Sequence, residues 1–202
     1  MPLPPPSVER TLVQLRSVQL FGYKRTDGRW DIEARITDTK NHDYPISSKT
    51  IARGEPVHDM WVRVTIDHQM NVLDASASSD AAPYDEHCTA IAPDYRRHLV
   101  GLNLFRGFRK DVKERLGGIH GCSHITELLN YLPTAALQTF ASDVQDNADS
   151  GAKPFQLDRC HALESHSEAV RRYYPRWFRG SKTGQDALLP DRSQPQPSKE
   201  SA

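Results

Sequence analysis

Residues 30–36 read Trp-Asp-Ile-Glu-Ala-Arg-Ile, and this strict alternation is the strongest constraint on the fold. Trp30, Ile32, Ala34 and Ile36 share one phase, and Asp31, Glu33 and Arg35 share the other. A period of two puts each set on its own side of an extended chain. The segment therefore predicts a strand with one dry face and one wet face, as antiparallel sheets have. Three neighbours fit the same sheet. The segment from Thr11 to Tyr23 carries Val13, Leu15, Val18, Leu20 and Tyr23, and a turn at 26–29 with an Asp-Gly pair follows it. Alternation resumes at Met60, Val62, Val64 and Ile66, and a turn near Asp67–Asn71 leads to Val72, Leu73 and Ala75. Residues 38–56, broken by Pro45, Gly54 and Pro56, predict a loop with one short strand.

After residue 76 the pattern changes. Residues 76–88 are small, polar and turn-prone, and end on Cys88. A short helix over 89–100 carries Tyr95 and Leu99. Phe105, Phe108, Val112 and Leu116 then fall at helical spacing. Gly117 and Gly118 supply a left-handed cap. The next helix opens near Ser123 with the stripe Ile125, Leu128, Leu129 and Leu132, and Pro133 kinks or divides it. Ser165 and Glu168 have capping-box spacing for a last helix over 166–174, stopped by Pro175. The expected fold class is α+β: an antiparallel sheet from the N-terminal half, packed against helices from the C-terminal half. The expected organisation is a disordered 1–10, one domain over 11–179 with a polar linker at 142–153, and a disordered tail over 180–202.

Charge excludes some partners. Lys plus Arg and Asp plus Glu both number 26, so no net field draws the chain to nucleic acid or to a membrane surface. No apolar run reaches membrane-spanning length, and MPLPPPSVER lacks the pattern of a signal peptide. Three well-separated cysteines favour a reducing compartment, and the expected location is the cytoplasm. Basic residues crowd positions 96–115. They read as a solvated helix face, or as a site for a small anionic ligand, with Arg109 and Arg115 as its contacts.

The chemistry concentrates at the cysteines. Cys88, Cys122 and Cys160 each have a histidine within two positions: His87, then His120 and His124, then His161. Cys122 and His124 sit where a helix should begin, and exposed N–H groups there favour a thiolate. Thiolate and imidazole together suit zinc or an iron–sulphur cluster, giving Cys88, Cys122, Cys160, His124 and His161 as candidate ligands. Their gaps of 34 and 38 residues leave the fold to bring them together. Small core residues, or Cys122 as a nucleophile with His124 or His161 as its base, are the other readings. His58-Asp59 reads as a strand-entrance turn, or as a ligand or acid/base pair whose aspartate orients the imidazole. Glu127, one turn beyond His124, reads as solvated or as a support to the site.

HDMWVRVTID at 58–67, GFRKDVKERLGGIHGCSHITELL at 107–129, DRCHAL at 158–163 and YYPRW at 173–177 resemble the bacterial family designated domain of unknown function 2889. The resemblance spans roughly residues 11–179 and implies no activity. A weaker one is to the U-type iron–sulphur scaffold proteins, which set three cysteines at a junction between a small antiparallel sheet and helices. Gly121-Cys122 resembles their second cysteine and Arg159-Cys160-His161-Ala162-Leu163 their third. At the position of their first stand His58 and Asp59. Two functions follow as expectations. One is metal or cluster handling, with a partner protein. The other is a metal- or thiolate-dependent hydrolase, hydratase or isomerase acting on an anionic small molecule, with Cys122, His124, His58 and Asp59 as catalytic candidates.

Overall fold

A computed structural model describes residues 3–140, 151–154 and 156–180. The chain divides into two compact units, Met1–Asp143 and Val144–Ala202. The first is an α+β unit. Four long strands, β1 (Gln14–Lys24), β2 (Trp30–Lys40), β5 (Pro56–Ile66) and β6 (Val72–Ala81), form an antiparallel sheet in the order β1-β2-β5-β6. A two-stranded ribbon, β3 (Tyr44–Pro45) and β4 (Thr50–Ile51), fills the β2–β5 connection. The helices follow: α1 (Asp85–Thr89), α2 (Ala92–Leu99), α3 (Phe108–Leu116), α4 (Ser123–Leu129) and α5 (Leu132–Phe140). No helix among the described residues is long and apolar enough to cross a membrane.

The alternation expected from sequence sets the sheet's two faces. Ile32, Ala34 and Ile36 of β2 and Met60, Val62, Val64 and Ile66 of β5 are all essentially buried. Helices α2, α4 and α5 pack on this sheet and supply Tyr95, Leu99, Ile125, Leu128, Leu129, Leu132 and Ala136 to the same core. Burial of this many large apolar side chains, at about 1.5–3 kcal/mol each, is the main term holding the unit together. Helix α5 crosses β1 at Gly22, where a Cβ would lie 1.9 Å from Thr139 Oγ1, so only glycine allows that approach.

Several expectations are corrected. β6 runs on to Ala81 through residues expected to turn, because its inward phase, Ala75, Ala77 and Ser79, is small and lets α2 come close. β2 likewise continues to Lys40, past the point where a loop was expected. Phe105 stands outside α3 and is 39% exposed, since the chain turns at Gly107 with φ +71° before the helix starts. Gly117 is extended, and only Gly118 takes the left-handed conformation. The helix divides, as expected: α4 ends at Leu129 and α5 starts at Leu132, with Pro133 in its first turn.

The second unit contains α6 (Glu168–Tyr173), and Pro175 follows it at the start of a short 3-10 turn. Its cap is Ser167, whose Oγ accepts from the Val170 N–H at 3.2 Å, rather than the expected Ser165. Ser165 is buried and donates from N and Oγ to the Asp158 carboxylate at 2.7 and 2.8 Å. Residues 3–10 are exposed and carry no helix or strand. The linker expected at 142–153 lies mostly outside the described residues, and the tail expected over 180–202 lies outside them beyond Gly180.

Candidate metal centre

The period of β2 does not stop at Ile36. The next inward position is Asp38, and the residue is 3% exposed. A carboxylate facing a core is rare without a partner. Here the partners come from three elements. The β2–β5 register sets Asp38 directly opposite His58, and the β1–β2 register sets it opposite Arg16. His124 reaches it from the first turn of α4.

The distances define a cluster. Asp38 Oδ2 is 3.0 Å from His58 Nδ1 and 3.6 Å from His124 Nε2. One donor atom from each of the three residues falls within 4.8 Å of the other two. Ligands held about 2.0–2.1 Å from a tetrahedral ion sit about 3.3 Å apart, and the two measured distances bracket that spacing. The imidazoles stack, with centroids 3.8 Å apart and an interplanar angle of 30°. Behind them Arg16 donates from Nε and Nη2 to both oxygens of Asp38, at 2.7 and 2.8 Å, and from Nη1 to Glu127 Oε2 at 2.9 Å. The arginine thus ties the Asp38 carboxylate to α4, the helix that carries His124. Such outer contacts orient ligating groups in metal sites.

The electrostatics put all three groups in the metal-binding protonation state. Burial, then the neighbouring His124 ring, holds His58 below the ordinary histidine value. Burial, then the Arg16 charge, does the same to His124. Burial pushes the Asp38 carboxyl up, but the hydrogen bond and charge of Arg16, with His58 behind them, outweigh it and hold it below its usual range. Two neutral imidazoles and one carboxylate result near neutral pH.

Helix α4 is aimed by a bracket at its start. The Tyr95 hydroxyl accepts from the Cys122 N–H at 2.8 Å and lies 3.0 Å from the Cys122 carbonyl and 2.8 Å from Thr126 Oγ1. Tyr95 is fully buried, and that burial raises its hydroxyl to about 12, so it stays protonated. Gly121 makes the bracket possible: a Cβ there would lie 2.4 Å from the Leu116 carbonyl oxygen and 3.0 Å from the Tyr95 hydroxyl.

Above the cluster lies an open cavity of about 550 Å³. His58 and His124 form part of its wall, as do Cys88 and Cys122. The structure therefore brings four of the residues expected from sequence, His58, Cys88, Cys122 and His124, to one cavity. Cys122 is the N-cap of α4, and its Sγ meets Met60 Sδ at 3.6 Å. Cys160 and His161 are exposed in the second unit. Asp59 points to the other face of the sheet, where Arg35 holds it at 2.6 and 2.8 Å, so Asp38 and not Asp59 orients His58. Strand alternation is the reason: adjacent residues face opposite ways. Arg109 and Arg115 do not line the cavity. They donate to the Asn130 and His98 carbonyls, each at 3.2 Å. Asp38 and Arg16 were absent from the sequence reading. The signal for Asp38 was there: a charged residue in the inward phase of an alternating strand.

No curated protein and no solved structure matches the chain. The model of a family described as proteins of unknown function, DUF2889, matches residues 14–138. That span holds the whole sheet, Arg16, Asp38, His58, Cys88, Tyr95, Cys122 and His124, and ends before Cys160. With more than half its length matched, the chain belongs to the DUF2889 family.

Proposed function

We propose that this protein holds one zinc or iron(II) ion on Asp38, His58 and His124, and acts through it on a small molecule bound in the cavity above. The observation that carries the reading is the cluster itself: three donors on three elements, with His58 and His124 at a cavity wall. One carboxylate and two imidazoles suit zinc or iron(II). An iron–sulphur cluster would need cysteine sulphurs instead. Three protein ligands leave coordination positions open, which is the arrangement of catalytic rather than structural sites. The chemistry open to such an ion is Lewis-acid chemistry: polarising a substrate oxygen, or activating a bound water for hydrolysis or hydration. Asp38 and the two histidines hold the ion, Arg16, itself tied to Glu127, fixes the carboxylate, and Tyr95 fixes α4.

Metal handling is the second reading, and the sulphurs favour it. Cys122 Sγ and Met60 Sδ are in contact beside the histidines, and Cys88 lines the same cavity. Soft sulphur donors next to a harder triad offer an ion a second set of ligands, as transfer needs. Metal analysis of protein purified without oxygen separates the two. The first reading predicts one ion per chain in the wild type and in Cys122→Ser, lost in Asp38→Ala and His58→Ala. Loss in Cys122→Ser with retention in Asp38→Ala would transfer the site to the sulphurs.

A further inference from the structure

The cavity wall carries a second message. Among the described side chains, no Lys, Arg, Asp or Glu lines it. Its apolar part includes Met60, Pro83, Tyr84, Ile91 and Ile119, and its polar part is His58, His87 and His124 with the cysteines and Ser123. Ile119 is 94% exposed at the lip, an unusual place for a large aliphatic side chain in water. The arginine nearest the cluster, Arg16, is already committed to Asp38 and Glu127. A substrate with two or more negative charges would find no lysine or arginine among the described side chains of this wall.

Resting on the metal reading above, we propose that the cavity takes an organic monoanion: an apolar, ring-sized body with one oxygen headgroup. The headgroup oxygen binds the ion between His58 and His124. The body lies along Ile91 and Ile119, with Pro83 and Tyr84 beside it. The volume of about 550 Å³ is within the range of small-molecule sites. Beyond the ion, the described wall offers histidines but no lysine or arginine, so one anionic oxygen is matched and a second meets no fixed positive charge.

Calorimetric titration of the zinc-loaded full chain with benzoate and with succinate tests this, with zinc content measured on the same samples. Benzoate should bind at least about tenfold more tightly than succinate, the scale expected from burying a ring's apolar area. The metal-free chain should lose benzoate binding. Ile119→Asp, a change at an exposed position that leaves the core intact, should weaken benzoate at least about threefold while zinc content stays unchanged. Zinc bound with succinate equal to or tighter than benzoate overturns this inference alone, as does zinc bound with no benzoate binding. Equal benzoate binding without metal overturns the role given to the ion. A wild type that binds no zinc or iron removes the metal reading, and this inference with it.

Discussion

Asp38 and Asp59 are matched carboxylates on opposite faces of one sheet. Each accepts two hydrogen bonds from an arginine on a neighbouring strand: Arg16 for Asp38, Arg35 for Asp59. On the outer face the arrangement ends there. Arg35 also lies over the Trp61 ring at 4.9 Å, and nearby Arg63 pairs with Glu33 at 2.6 Å, a surface of satisfied ion pairs. On the inner face two stacked imidazoles join the carboxylate, neutral and beside a cavity. An arginine–carboxylate pair alone is structural. What makes the inner pair a candidate centre is the addition of two imidazoles that burial holds below the ordinary histidine value, in a place water only partly reaches.

The sharpest test of that contrast is metal affinity. His58→Ala or His124→Ala should lower zinc affinity at least about 100-fold, because each removes a ligand, whereas outer contacts carry about 10–100-fold. Asp59→Asn should leave it within about threefold. Competition against a chromophoric chelator reads both. Equal effects from Asp59→Asn and His58→Ala would erase the distinction between the faces.

Stability should divide the same way. Asp38→Asn removes a buried acceptor of charged hydrogen bonds and should cost about 2–4 kcal/mol in urea unfolding of the metal-free chain. Asp59→Asn, with Arg35 about one-third exposed, should cost about 1 kcal/mol. Tyr95→Phe should cost about 1–2 kcal/mol, since it leaves the Cys122 N–H without its acceptor, and should move zinc affinity less than tenfold. A larger affinity loss would make Tyr95 more than a support for α4.

The smallest effect is in pH. His58 and His124 are held below 6.5 in the folded chain. Below that value the unfolded chain binds more protons than the folded one, so stability falls as pH drops through 6.5. Metal-free wild type should therefore be less stable at pH 5.5 than at pH 7.5. The double variant His58→Gln/His124→Gln should show a flatter profile in the same urea titrations. An unchanged slope would mean the rings are not held neutral by burial.

How much of this was legible in the sequence depends on which physical signal each residue carried. The strand at 30–36 was, because large apolar and charged residues alternate without exception. The end of β6 was not: Ala75, Ala77 and Ser79 face the core, but small residues read as turn-formers until a helix is seen against them. Cys122 and His124 at the start of α4 were legible from the glycine break before them. Their partner was not. Asp38 sits 20 residues from His58 and 86 from His124; pairing register joins it to the first, and the packing of α4 on the sheet to the second. Strand phase brings His58 to the cluster, and the helix start beside Cys122 brings His124.

X-ray absorption of the zinc-loaded chain tests the central claim most directly. The account predicts a first shell of nitrogen and oxygen alone, at about 2.0–2.1 Å with imidazole back-scattering, unchanged in Cys122→Ser and lost in Asp38→Ala. Sulphur at about 2.3 Å in the wild type, absent from Cys122→Ser, would place the metal on the cysteines and contradict it.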